Sequence, residues 1–170
     1  MAQIFFVQGT IVQVNTSLGG LPKRPISEGL ITPMGIEGDR HAHPDIHGGE
    51  RKAILIIASE IIDGLVAQGY PVFYGALGEN LTTRGLTIRD IRIGDQIRAG
   101  GAWLEITQPR GPCLQLDIYG PAIKQEIYDQ QVKNRNPASL KWGMSGFYAR
   151  VISPGPVGPG DIIAVEATLA

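Results

Sequence analysis

The chain has 170 residues, a net charge of −1, 43% apolar residues and 18% charged ones. That is one domain, residues 1–170, large enough to bury a core, and it excludes a disordered chain, a coiled coil and a globally basic nucleic-acid binder. The single cysteine, Cys113, excludes an internal disulfide and a cysteine-only zinc site, while 23 glycines and 12 prolines signal many turns.

Ile4 to Val14 is rich in β-branched and aromatic residues and reads as a strand. Ser17 to Pro22, with Gly19 and Gly20, reads as a loop, and Gly29 to Ile36 as a second strand. Ala53 to Ala58 is a short continuous apolar run, as in a strand buried on both faces. A helix follows, with Ser59 as N-cap, Glu60 at its positive end, Ile61, Ile62, Leu65 and Val66 as an apolar stripe, and Gly69 as the stop. Thr87 to Ile97 and Ala102 to Thr107 alternate as strands do, with Gly94-Asp95 as a tight turn. A second helix is expected from Pro121 to Gln131, with Ile123 and Ile127 one turn apart. Phe147 to Ser153 and Asp161 to Ala167 close the chain as strands, separated by a stiff Pro154-Gly155-Pro156 loop. Many short strands, few helices and abundant glycine predict a mainly β fold, a barrel or closed sandwich. The start of the chain has no basic stretch leading into a long apolar run, and its apolar runs fall far short of a membrane span. A cytoplasmic protein without a membrane association is therefore expected.

Cys113 ends the segment Pro109-Arg110-Gly111-Pro112-Cys113, where two prolines restrict the backbone. Arg110 would favour its thiolate, the form that attacks electrophiles and binds soft metals. The alternative is a buried inert thiol. His41, His43 and His47 lie in one glycine-rich stretch. His41 and His43 occupy alternate positions, as metal ligands on a strand would, but Pro44 breaks any regular element that includes His47. A metal there would need the loop to fold back and a carboxylate or Cys113 to complete the set. The competing readings are an exposed turn-rich loop, or an anion site in which His47, the free N–H groups of Gly48 and Gly49, and Arg40 meet a phosphate. Arginines outnumber lysines ten to five. Several of them, including Arg24, Arg51, Arg98 and Arg150, fall near predicted loop mouths, where their forks suit phosphates, although each taken alone reads as a surface residue. Asn80, in Gly78-Glu79-Asn80, either serves a turn or orients a ligand. No phosphate-binding P-loop, dinucleotide fingerprint, nucleophile elbow or basic-aromatic run is present, so no stable nucleic-acid complex is expected.

An ordered set of motifs spans about Thr10 to Val165. It comprises Pro22-Lys23, Gly35-x-x-Gly38-Asp39, His47-Gly48-Gly49-x-x-Lys52-Ala53, Gly78-Glu79-Asn80 and Ile93-Gly94-Asp95. Pro109-Arg110-x-Pro112-Cys113, Gly146-Phe147-Tyr148-Ala149-Arg150-Val151 and Gly160-Asp161 complete it. Taken together these resemble a MOSC domain, the module found at the C-terminus of molybdenum cofactor sulfurases, and within that group the small stand-alone bacterial YiiM-like type. The resemblance implies a closed pyruvate-kinase-like β-barrel with two or three short helices. It implies a molybdenum-molybdopterin cofactor, with the metal on the Cys113 thiolate and Lys23, Arg40 and Arg110 around it. His47, Asn80 and Arg150 are further candidates for holding the cofactor, and Cys113, Arg110 and Lys23 are the expected catalytic residues. The family pattern leads one to expect an aromatic just after the cysteine. This chain has Leu114-Gln115-Leu116, a segment expected to line the substrate pocket.

The leading expectation is a reductase of N-hydroxylated small molecules, nucleobases among them. Electrons would come from a donor protein, because no flavin or haem module is evident. The second is a sulfur carrier that holds a persulfide on Cys113 and receives it from a sulfur-donor protein. The third is a non-catalytic barrel that binds an anion or cofactor, with Cys113 structural.

Overall fold

A computed structural model describes residues 4–40 and 48–168. The chain begins with strands β1 (Ile4–Thr16), β2 (Arg24–Ile26), β3 (Gly29–Thr32), β4 (Gly35–Ile36) and β5 (Ile54–Ala58). Helix α1 (Ser59–Ala67) leads to β6 (Leu81–Arg84), β7 (Gln96–Ala99) and β8 (Ala102–Pro109). Helices α2 (Ile123–Ile127) and α3 (Gln130–Lys133) precede β9 (Phe147–Ser153), β10 (Gly155–Val157) and β11 (Ile162–Thr168).

Seven strands close into a barrel in the order β11, β7, β8, β9, β5, β6 and β1, with β1 pairing back onto β11. Closure removes the free edges that an open sheet would expose. β1 is long enough to serve three partners in turn: β11 along residues 4–10, β6 along residues 10–14, and β2 along residues 14–16. β5 and β6 run parallel and are linked through α1, as a parallel pair requires. β10, β3 and β4 form a separate small sheet.

β5 is the hinge between two apolar layers. Ile54 and Ile56 join the barrel core with Ile11, Leu81, Ile106 and Phe147. Leu55 and Ile57 point the other way, into a second cluster with Ile62 and Leu65 of α1, Leu77, Leu116 and the α2 residues Ile123 and Ile127. All five β5 residues are buried, as the continuous apolar run predicts. Trp142 packs edge-on to Phe147 at 5.7 Å between ring centroids and donates its indole N–H to the Ile91 carbonyl at 2.8 Å.

Five expected features differ in the structure. Gly29 to Ile36 is a hairpin, β3 and β4, because the chain turns at Pro33-Met34. In Thr87 to Ile97 only the end is strand, β7. Ile88–Asp90 is a single 3-10 turn, and Ile91 is buried while Ile93 is exposed, so the two do not share a face. The Pro121 to Gln131 helix is two, because Tyr128 and Asp129 are extended and the Asp129 carboxylate accepts the Val132 N–H at 2.8 Å, capping α3 afresh. Part of the expected stiff loop, Gly155 and Pro156, is strand β10, paired with β3. In α1, Ala58 takes the N-cap position and Ser59 is the first helical residue.

Candidate cofactor cleft

Strand register lines up the end of β1, the start of β6, the middle of β5, the start of β9 and the end of β8. Val14 faces Leu81, Leu81 faces Ile56, Ile56 faces Phe147, and Phe147 faces Pro109. The segments that enter or leave strands along this line carry the polar residues. Lys23 precedes β2, Arg40 follows β4, and Lys52 and Asn80 lie just before β5 and β6. Arg110 and Cys113 follow β8, and Tyr148 stands on β9. With Gly20, Leu21, Gly48, Leu55, Gly78 and Gln115 they line a cleft of about 580 Å³, counted out to its open mouth. Among the described residues this lining holds four cationic side chains and no carboxylate.

The cations are held by different means. Lys23 Nζ lies 2.6 Å from Asp39 Oδ1, with the two side chains only 6% and 2% exposed. Asp39 also accepts the Ser17 N–H at 2.9 Å and the Asn80 amide N–H at 2.8 Å. Asn80 in turn accepts the Leu55 N–H at 3.0 Å, so one side chain ties β5 to the Lys23–Asp39 pair. The Lys23 backbone N–H donates to the Gly75 carbonyl at 2.9 Å, and Gly75 has φ +98. A methyl group at Gly75 would overlap the Lys23 carbonyl oxygen, so glycine is required there for the close approach as well as for the dihedral. Arg110 is buried, yet its guanidinium donates to the Leu77 carbonyl at 2.7 Å and to the Ser145 carbonyl at 3.5 Å. Its own carbonyl accepts the Ser145 hydroxyl and its N–H donates to the Gly146 carbonyl, so the residue is braced from both ends. Lys52 Nζ sits 5.4 Å from the centre of the Tyr148 ring, a cation–π contact.

Cys113 is half-buried and its thiol is free. It borders the first cleft and also a second, lined by Gln108, Pro109, Gly111, Pro112, Tyr128, Val132, Lys133 and Arg135; Lys52 and Tyr148 border both as well. Burial pushes the Tyr148 phenol above its ordinary value; the Arg110 charge opposes this and Cys113 adds to it. Tyr148 Oη therefore keeps its proton at neutral pH.

Glu79 is fully buried among this scaffolding. Its Oε2 accepts the Thr82 hydroxyl at 3.2 Å and its Oε1 has no hydrogen-bond partner. Burial pushes the carboxyl up from 4.5 to about 7, against the pull of nearby backbone N–H groups, Thr82 and the Arg110 charge.

Lys23, Arg40, Gly48, Asn80, Arg110 and Cys113 thus meet in one cleft. Gly49 does not line it; with φ +81 it caps the 3-10 turn that delivers Lys52. Arg150 does not line it either. Its guanidinium holds Glu105 at 2.9 and 3.1 Å, because the β8–β9 register sets Arg150 opposite Glu105. His41, His43 and His47 lie outside the described residues, and among those described no three His, Cys, Asp or Glu side chains cluster as metal ligands would. Sequence reasoning passed over Lys52 and Tyr148 as site residues. Both stood inside the quoted motifs, and strand alternation beside the inward-facing Phe147 sends Tyr148 outward. In the Leu114-Gln115-Leu116 segment, Gln115 faces the cleft, Leu116 is buried and Leu114 is exposed.

The fold is thus a closed β-barrel that carries a braced cationic cleft beside one free thiol. The chain belongs to the MOSC domain family, whose model matches residues 43–164. It is 33% identical over 145 residues to the Bacillus subtilis protein YflK, covering 83% of this chain and 60% of that protein. It is 33% identical over 136 residues to Escherichia coli YiiM, covering 75% and 54%. A Gibberella moniliformis protein named as a reductase is 29% identical over 139 residues, covering 77% of this chain and 22% of that protein. The chain therefore spans little more than half the length of YflK and YiiM. The crystal structure of YiiM from Geobacillus stearothermophilus superposes with a TM-score of 0.68 at 28% identity, over 95% of this chain and 75% of that one. No helix among the described residues is long and apolar enough to cross a membrane.

Proposed function

We propose that the first cleft binds a molybdopterin-type molybdenum cofactor through Cys113 and that the protein reduces N-hydroxylated small molecules, N-hydroxylated nucleobases among them. The observation that carries this reading is the placement of the one thiol at the meeting point of two clefts, beside Arg40, Lys52 and Arg110. The donor set fits the group: a thiolate is the soft ligand that molybdenum takes from a protein, and arginine and lysine suit the pterin's phosphate. The cofactor, when bound, supplies the two-electron redox chemistry.

The chain's own residues do the remaining work. Arg40, Lys52 and Arg110 neutralise the anionic cofactor. Lys23 spends its charge on Asp39 and fixes the cleft wall, and Asn80 locks that wall to β5. Reduction of R–NH–OH to R–NH2 and water takes up two electrons and two protons. Tyr148 Oη, protonated at neutral pH and bordering the same clefts as Cys113, is the side chain placed to deliver a proton. The relative named as a reductase favours a reductive role, and the electrons come from a separate donor protein in the cytoplasm.

The test is turnover of an N-hydroxylated aromatic amine with a chemically reduced viologen as donor. Loss of amine formation in Cys113→Ser, with fold and expression intact, supports the reading; equal turnover in the variant refutes it. A cyanide-labile sulfur on Cys113 in protein free of molybdenum would transfer the assignment to a sulfur carrier.

A further inference from the structure

The second cleft, about 860 Å³ counted to its open mouth, adjoins the first. It shares Cys113, Tyr148 and Lys52 with the first and extends away along the β8–Cys113 segment towards α3. Its exposed lining is more polar than apolar; Pro112 and Tyr128 supply apolar contact, Pro109 and Val132 are buried behind them, and Tyr128 stands beside Gly111. Its far end carries Lys133 and Arg135. Among the described residues the lining contains no carboxylate.

Arg135 is the anomaly. Both α1 and α3 end in the same hydrogen-bonded closure. In α1 the Gly69 N–H donates to the Val66 carbonyl and the Tyr70 N–H to the Leu65 carbonyl, each at 3.0 Å, with Gly69 at φ +99. In α3 the Arg135 N–H donates to Val132 and the Asn136 N–H to Gln131, each at 2.9 Å, with Arg135 at φ +59. This closure needs a left-handed residue, which is ordinarily glycine because a Cβ there is strained. Among the described residues Arg135 is the one non-glycine residue with positive φ. The carbonyl end of α3 accounts for a cation at Lys133. It does not account for an arginine where glycine would close the helix at lower cost, and strain kept at a cleft rim is a mark of function.

We infer that the second cleft is the substrate's binding site and that it takes a flat organic molecule carrying an anionic group, phosphate or carboxylate. Lys133 and Arg135 hold the anion, and Pro112 and the Tyr128 ring lie against the flat body, with its reactive end towards Cys113. An arginine fork and an ammonium match such an anion, and an aromatic ring offers a face to a flat body. This assignment rests on the reading of Cys113 as the reacting centre. It separates that reading's uncharged nucleobases from their phosphorylated forms and favours the latter.

The test is calorimetric titration of the full chain with adenosine monophosphate, adenosine and inorganic phosphate, repeated on Arg135→Gly, Lys133→Gln and Arg40→Gln. Adenosine monophosphate should bind at least tenfold more tightly than adenosine. R135G and K133Q should each weaken adenosine monophosphate at least fivefold without changing adenosine, and R135G should melt no lower than the parent. R40Q should leave the nucleotide's affinity unchanged. Equal binding of nucleotide and nucleoside, an R135G variant of full affinity, a lowered melting temperature in R135G, or loss of binding in R40Q instead overturns the assignment. Molybdenum content, measured on the same preparations, separates the two claims. R135G that keeps its metal but loses the nucleotide supports the cleft assignment, whereas nucleotide binding as described in metal-free protein refutes only the cofactor reading.

Discussion

Glu79 offers a prediction whose size follows from the structure. Its carboxyl is fully buried with one unpartnered oxygen, and burial raises it from 4.5 to about 7. In the unfolded chain the same carboxyl titrates near its ordinary value, so between those two points the folded state holds a proton that the unfolded state has released. The contribution is therefore fully present below about pH 4.5, is lost as pH rises through about 7, and is constant above that. At about 1.4 kcal/mol per unit, the loss amounts to about 3 kcal/mol. Glu79→Gln replaces the protonated carboxyl with a neutral group of the same shape and removes the titration. Urea unfolding of parent and variant, measured from pH 5 to pH 8, should give similar stabilities at pH 5 and a variant about 3 kcal/mol more stable at pH 8. Tyr119, which faces Glu79, is held above its ordinary value chiefly by burial, so it keeps its proton across this window and cancels in the difference. Parallel pH profiles for the two proteins would refute the reasoning.

The remaining predictions concern the cleft wall. Asp39→Asn leaves the Lys23 ammonium buried without its counter-charge and should cost about 3–5 kcal/mol in urea unfolding; a loss below about 1 kcal/mol would show the pair to be solvated. Gly75→Ala drives a methyl into the Lys23 carbonyl at positive φ and should destabilise by more than about 1 kcal/mol, with a matching fall in bound cofactor. Arg150→Ala should leave molybdenum content unchanged, since its guanidinium is committed to Glu105 outside the cleft; a drop would return Arg150 to the site.

What was readable in the chain was what depends on local pattern. Ala53 to Ala58 announced a strand buried on both faces, and β5 is that strand, dividing two apolar clusters. Phe147 to Ser153 coincides with β9. The misses arise where a distant partner or one side chain decides. Gly155 and Pro156 become strand because β3 lies alongside, a pairing across more than a hundred residues that no local pattern displays. The helix expected from Pro121 to Gln131 breaks because the Asp129 carboxylate offers the α3 backbone a better partner than continued helix would. At the site, the motif residues Lys23, Arg40, Asn80, Arg110 and Cys113 line one cleft. Their charge pairing was not readable: that Asp39 takes the Lys23 charge and Glu105 takes that of Arg150 depends on loop closure and on strand register.

The central claim is that Cys113 holds the metal, and elemental analysis of the anaerobically purified protein beside its Cys113→Ala variant tests it most directly. The account predicts molybdenum in the parent and none in a variant that folds and melts as the parent does. Equal molybdenum in the two proteins would contradict it.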